Sequence, residues 1–96
     1  MITDKTKKDF QKIIKSIREK TNEKNFPKPM MTIAQIEKKQ ATVNCGGEWA
    51  TKERTEERAN IVLNDERFKE FLDKYKATAN LEINNFGTYQ IRINFE

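Results

Sequence analysis

The sequence predicts an α+β fold: a small antiparallel sheet, formed by a C-terminal hairpin at 79–95 and a strand near 40–45, packed against an N-terminal amphipathic helix and a helical segment at 51–77. Three observations lead to this prediction. Apolar residues recur with a helical period near the N-terminus, charged helix formers dominate the segment after residue 50, and apolar residues occupy alternate positions near the C-terminus. Since the chain has 96 residues, we expect one domain with a single modest core.

The first element is predicted to be a helix over about 4–24. Four apolar side chains recur at i, i+3, i+4 and i+7 and form one stripe: Phe10, Ile13, Ile14 and Ile17. Thr3 is a suitable N-cap for this helix. Two prolines in "NFPKP" impose extended backbone, so the helix must end before them, and we expect an extended connection over 25–30.

The segment after the prolines has two interpretations at its start. Residues 31–37 form either a short helix, because Thr32 and Gln35 have capping-box spacing, or the partner strand of a hairpin. Both alternatives stay open from the sequence. The segment 40–45 is predicted to be a strand, since small and apolar residues alternate there with polar ones, at Ala41, Val43 and Cys45.

Residues 51–77 have a helical pattern with a break near Asn64. The first half, "TKERTEER", is predicted to be mostly solvated because nearly every residue is charged or polar. Asn64 is the expected N-cap of the second half, with two acidic residues in the first helical turn. The second half has one apolar face, made by Phe68, Phe71, Leu72 and Tyr75.

The C-terminal segment is predicted to be a hairpin, because apolar residues alternate on both sides of "NNFG", whose residues tolerate turn conformations. A lone hairpin is marginal in water, so it needs a third strand, for which 40–45 is the candidate. The oligomeric state stays open. Two copies could pair along 89–95 if that strand lay at the edge, although Arg92 and Glu96 oppose such pairing.

Composition argues against most enzyme classes. The chain has no histidine, which excludes Ser-His and Cys-His nucleophile pairs and His-ligated metals, and a single cysteine is too few for a zinc site. We therefore expect no enzymatic activity, no metal and no cofactor. Cys45 is expected to be a buried strand residue rather than an activated thiolate. Five carboxylates, which alternate with basic residues, are expected to be solvated: Glu53, Glu56, Glu57, Asp65 and Glu66.

The stretch "CGGEW" combines the only cysteine, the only glycine pair and the only tryptophan. Glycines before a helix can expose amides to an anion, but the longer glycine pattern and lysine of a phosphate loop are missing. We therefore interpret Gly46 and Gly47 as a tight strand-to-helix turn that uses backbone angles forbidden to other residues. Glu48 and Trp49 are candidate binding residues on the rim of this turn, since tryptophan is frequent at interfaces.

Positive charge is concentrated near the N-terminus. Residues 1–29 hold nine basic and four acidic residues, whereas the remainder holds ten and eleven, within a formal net charge of +4. A candidate binding face, here called the lysine face, consists of residues at helical spacing: Lys5, Lys8, Lys12, Lys15 and Arg18. Such a face could follow nucleic-acid phosphates, although it lacks aromatic residues to stack on bases.

These features favour a small regulatory protein that binds by docking on a protein or nucleoprotein complex. The alternative is a nucleic-acid-binding protein that uses the lysine face. Small size, high charge and the lack of a family motif also resemble the inhibitors that phages and plasmids direct at host systems, such as anti-CRISPR proteins. The single cysteine favours a cytoplasmic location, and no apolar run predicts a membrane partner.

Overall fold

The computed structural model describes residues 2–47 and 50–96 of the chain. Within them, four helices and four strands confirm the α+β class. In chain order they are α1 (Asp4–Thr21), β1 (Lys28–Met30), α2 (Ile33–Glu37), β2 (Gln40–Asn44), α3 (Lys52–Asn64), α4 (Glu66–Lys74), β3 (Ala77–Ile83) and β4 (Tyr89–Phe95).

The strands form one antiparallel sheet in the order β1-β2-β4-β3. The third strand predicted for the hairpin is β2, which pairs with β4 from Gln40 opposite Asn94 to Asn44 opposite Gln90. The connection predicted over 25–30 ends in a fourth strand, β1, which the sequence did not indicate because Pro29 lies within it. The idea that 89–95 lies at the edge is wrong, since β4 is central and the edges are β1 and β3.

The three longer helices, α1, α3 and α4, pack against one face of the sheet and enclose the core. The stripe predicted on α1 is the core face of that helix, and Ile13 is its partly buried margin. Phe71 of α4 joins the layers because its ring lies 5.8 Å from that of Phe10 and 6.1 Å from that of Phe95, centroid to centroid. Aromatic pairs at such separations add to the stability gained by burial.

Helix boundaries follow local capping chemistry. Thr3 caps α1 in a capping box with Thr6, and the helix ends at Thr21 because Asn22 adopts a left-handed conformation with φ of 59°. Residues 31–37 contain the short helix α2, with the predicted capping box of Thr32 and Gln35. The N-cap of α4 is Asp65 rather than Asn64, because the Asp65 carboxylate accepts hydrogen bonds from the amides of Arg67 and Phe68.

The segment "TKERTEER", predicted to be mostly solvated, has two buried residues, Thr55 and Arg58. Thr55 is buried because its Oγ1 accepts a hydrogen bond from the amide of Tyr89 at 2.9 Å, which ties α3 to β4. Arg58 is only 7% exposed. Its Nη1 donates to the carbonyl of Cys45 at 2.9 Å, and its Nη2 lies 3.1 Å from Glu23 Oε2. The burial of Thr55 and Arg58 could not be predicted from the sequence, because their partners lie far away along the chain.

Glu23 connects this buried arginine to the surface. Arg54 also donates to Glu23, and this hydrogen bond is the main cause that holds the pKa of the Glu23 carboxyl below its ordinary value. The Arg58 guanidinium also lies over the ring of Phe26, 5.6 Å from its centroid. The side chain of Arg58 therefore fixes the positions of α3, the segment after α1 and the end of β2 relative to one another.

The substitution Arg58→Ala is expected to lower the free energy of unfolding by about 3 kcal/mol, because it breaks a buried ion pair. This value is at the lower end of the range for such pairs, since Glu23 still has Arg54 as a partner. Urea unfolding followed by circular dichroism measures the loss. Arg54→Ala is the control, and should cost clearly less because the Arg54 side chain is 42% exposed. Equal losses for the two variants would contradict the central position of Arg58.

Candidate functional site

The sheet face opposite the three longer helices carries polar side chains. Residues paired across an antiparallel ladder point to the same side, and these polar residues alternate with apolar ones that face the helices: Gln40, Thr42, Asn44, Thr78, Asn80, Glu82, Gln90, Arg92 and Asn94. Four of them are linked, since Arg92 donates to Glu82 at 2.9 Å and to Gln40 at 3.3 Å, and Gln40 Nε2 donates to Asn94 at 3.1 Å. The face is therefore an ordered polar surface.

One part of this face is covered and another part is open. Gln35 of α2 donates to Thr42 Oγ1 at 3.0 Å, so α2 lies over the first half of β2 and buries Thr42. Beyond it lies a concavity of about 800 Å³, here called the sheet groove. Its floor is made by Asn44, Gln90 and Arg92, and its walls by the β3–β4 turn at 84–86 and the loop that contains Gly46 and Gly47.

Exposed apolar side chains gather at the sheet groove. Met30 is 38% exposed and Phe86 91%, and both line it. The turn that carries Phe86 is ordered by Asn84, whose Oδ1 accepts from the amide of Phe86 at 2.9 Å and from that of Thr88 at 3.2 Å. Apolar surface held exposed around a polar floor is typical of an interaction site.

Positions 46 and 47 require glycine because the side chains of Thr88 and Phe26 lie too close for a Cβ atom, and not because of unusual backbone angles. A Cβ at Gly46 would lie 2.6 Å from Thr88 Oγ1, and one at Gly47 would overlap the ring of Phe26. Neither glycine has a positive φ, so the interpretation as a turn with forbidden angles is wrong in its physical reason. The pair allows the loop to pass close to the β3–β4 hairpin and to Phe26, which shapes one wall of the sheet groove.

The predicted rim residues Glu48 and Trp49 lie outside the described residues. Their described neighbours Gly47 and Ala50 line the sheet groove. The prediction that this rim contacts a partner stays a prediction.

The lysine face lies on the opposite side of the molecule. Its four lysines are exposed and Arg18 is half-buried, on the side of α1 away from Phe10, Ile14 and Ile17. Across residues 2–47 and 50–96, none of these five basic groups forms an ion pair. Because α1 packs on the helical side of the sheet, the structure brings the five residues together but keeps them apart from the sheet groove.

One charged cluster close to the lysine face is structural. Tyr75 donates a hydrogen bond from its hydroxyl to Asp9, and Lys74 lies 3.4 Å from the same carboxylate. The hydrogen bond from Tyr75 is the main cause that lowers the pKa of Asp9, and it also raises the pKa of Tyr75. Asp9 is thus stabilised in its charged form, the opposite of a carboxyl group prepared to act as a general acid.

The cysteine thiol and several of the carboxylates considered as candidate reactive groups have structural roles. Cys45 is fully buried, and burial raises the pKa of its thiol to about 12. Asp65 caps α4 and pairs with Lys20, Glu57 pairs with Arg54, and Glu66 pairs with Lys69. Among the described residues, no three Cys, Asp or Glu side chains come close enough to hold a metal ion. In that same part of the chain, no helix is long and apolar enough to cross a membrane.

In comparisons with known proteins, no protein-family model, no curated protein and no solved structure matches the chain.

Cys45 provides a direct test of the buried thiol. The folded protein at pH 8 should react with a thiol-specific reagent roughly 1000-fold more slowly than the urea-unfolded protein, because the thiolate is the reactive form and a pKa of about 12 keeps the thiol protonated. Absorbance of the released chromophore measures both rates. Rapid labelling of the folded protein would show an activated thiol and would reopen an enzymatic role.

Proposed function

We propose that this protein is a non-enzymatic binding protein that docks on a protein or nucleoprotein partner through the sheet groove. The observation that carries the proposal is the position of Met30 and Phe86, two exposed apolar side chains, at one polar groove. Aromatic residues, phenylalanine among them, are enriched at protein interfaces. Phe86 is the expected anchor, because it is the more exposed of the two.

The polar lining supports a polypeptide as the occupant of the groove. Asn44, Asn84, Asn85 and Gln90 provide neutral amides, which both donate and accept hydrogen bonds, as the peptide backbone of a partner requires. Among the described residues of the lining, the only two that are charged are Arg92 and Glu82, and they pair with each other. A phosphate would find little net positive charge here, so a protein surface suits the groove better than nucleic acid.

The state of the ionisable groups supports a non-enzymatic role. The thiol pKa is raised by burial, and the carboxyl pKa values of Asp9, Glu23 and Asp65 are lowered. A nucleophile or a general acid needs shifts in the opposite directions. Inhibition of a host system in the manner of phage or plasmid inhibitors stays a prediction, as does a cytoplasmic location.

The substitution Phe86→Ser tests the groove. It should reduce recovery of the partner at least about 10-fold, in line with the loss of an aromatic anchor, while leaving stability nearly unchanged because the side chain is exposed. The measurement is quantitative capture from extracts of the native host, with and without nuclease. The nuclease arm separates a protein partner from one held through nucleic acid.

Ile33→Ser is the matched control, since Ile33 is 79% exposed and lies on α2, outside the lining of the groove. It should capture the partner as the unchanged protein does. If Phe86→Ser retained the partner at the level of Ile33→Ser, the groove would not be the docking site.

The second candidate function is nucleic-acid binding through the lysine face. It is favoured by four exposed lysines that share one side of α1 and form no ion pair with any described residue. Asp4 and Glu19, which lie one turn from Lys8 and Lys15, reduce the positive potential of this side. Binding through such a face would be electrostatic and independent of base sequence.

If the lysine face binds duplex DNA, the triple substitution Lys8→Glu, Lys12→Glu and Lys15→Glu should abolish binding. With about four phosphates contacted, affinity of the unchanged protein should fall about 100-fold between roughly 50 and 200 mM salt. Fluorescence anisotropy measures both effects. The control triple carries the same charge change on exposed lysines elsewhere, at Lys38, Lys52 and Lys69. No binding at low salt, or equal weakening by the two triples, would end this candidate.

A further inference from the structure

The two edge strands of the sheet differ in how strongly they resist pairing with a further strand. The edge strand β1 has three residues, among them Lys28 and Pro29, which discourage pairing with another strand. The opposite edge strand β3 has seven residues with neither proline nor lysine, and its pairing with β4 is continuous from Ala77 to Ile83. In the described part of the chain no strand covers its outer side. A long regular edge of this kind is a template for another strand.

The hydrogen-bond pattern shows which residues of β3 face outward. Asn84 donates from its amide to the carbonyl of Thr88 at 2.9 Å, so this pair belongs to the ladder with β4. Alternation then directs the backbone groups of Thr78, Asn80 and Glu82 toward β4. The amides and carbonyls of the other four residues point away from the sheet: Ala77, Ala79, Leu81 and Ile83.

The side chains of these four residues face the helical side of the sheet, and their sizes are unequal. The two small ones, Ala77 and Ala79, pack against the core, whereas the two large ones are only partly covered. Leu81 is 40% exposed and Ile83 is 53% exposed. The strand therefore presents small residues in its first half and uncovered large residues in its second half.

We propose that β3 pairs antiparallel with β3 of a second copy of this chain, across a two-fold axis at Asn80. This register places Ala77 opposite Ile83 of the second copy and Ala79 opposite its Leu81. All four outward residues then lie in hydrogen-bonded pairs, and each such pair exchanges both backbone hydrogen bonds. If the register were shifted by one residue, outward-facing backbone groups of one copy would lie opposite inward-facing groups of the other. The register can therefore change only by an even number of residues, and any such change leaves some outward-facing backbone groups unpaired.

Self-pairing is favoured over pairing with an unrelated strand because β3 is complementary to its own reverse. Each large side chain meets a small one, and α4, which leads into Ala77, lies in each copy toward the Ile83 end of the other. Leu81 and Ile83 gain cover from the α4 helix of a second copy, which a strand without a preceding helix would not give. Burial of this apolar surface adds to the backbone hydrogen bonds.

Charge also permits two copies to approach. Glu82 is the only charged residue of β3, and it pairs with Arg92 of its own chain. The excess of positive charge lies in residues 1–29, and α1 packs beside β1 at the opposite edge of the sheet. The pair would thus form one continuous sheet of twice the width, with the lysine faces far apart. The inference does not rest on the proposed function.

Disulfide trapping tests the register. In the substitution Asn80→Cys the two cysteines face each other at the two-fold axis, where a non-hydrogen-bonded pair has its Cα atoms about 4.5 Å apart, within the range of a disulfide. Mild oxidation should convert most of this variant to a covalent dimer. Thr78→Cys is the matched control, because its cysteines would lie ~13 Å apart and should not link. The native Cys45 is buried and does not compete.

Sedimentation equilibrium tests the association itself. The unchanged protein should show twice the chain mass of 11.4 kDa at high micromolar concentration, and Leu81→Lys should shift it to the monomer. Ile33→Lys, an equal change at an exposed site on α2, should leave the dimer intact. A monomer at every concentration, equal trapping of the two cysteine variants, or a dimer insensitive to Leu81→Lys would overturn the proposal. If Leu81→Lys did not fold, the trapping result would decide.

Discussion

The buried guanidinium of Arg58 joins three segments: α3, which carries it, the connection between α1 and β1, and the loop after β2. It donates to the carbonyl at Cys45, pairs with Glu23 after α1, and covers the ring of Phe26 before β1. A charge removed from water is tolerated only when its partners are fixed, so these three segments must adopt one arrangement together. The position of β1 beside β2, and therefore the width of the sheet, depends on this arrangement.

The same arrangement shapes the candidate site. The ring of Phe26 lies against Arg58 on one side and reaches the backbone of Gly47, where no side chain would fit. The loop of Gly46 and Gly47 is thereby brought against Thr88 of the hairpin and becomes a wall of the sheet groove. A polar interaction inside the fold thus determines the form of a surface on the other side of the sheet.

The fold has three surfaces that differ in chemistry. The sheet groove offers neutral amides and exposed apolar side chains, the lysine face offers charge without aromatic residues, and the β3 edge offers a backbone ladder. Neutral amides, positive charge and a backbone ladder bind by different physical means, so the three surfaces can be tested separately. Because the groove and the lysine face lie on opposite sides of the sheet, a partner held by one leaves the other accessible.

The sequence by itself determined the elements whose causes are local. The period of Phe10, Ile14 and Ile17 predicted α1, the alternation along β4 predicted a half-buried strand, and capping chemistry marked Thr3 and Thr32. Local pattern also indicated that Cys45 is buried. The lysine face followed from helical spacing alone, because side chains three and four residues apart share one side of a helix.

Only the tertiary structure decided what depends on partners distant in the chain. The burial of Arg58 requires Glu23 and Cys45, and the strand β1 forms despite Pro29 because β2 lies beside it. The sheet groove combines β2, the loop after it and the hairpin tip, so no local pattern could have indicated it. The same reason explains why the sequence could not show that β4 is central and that β3 is an edge strand. Strand order depends on which surfaces the helices cover, and the sequence of a single strand does not contain that information.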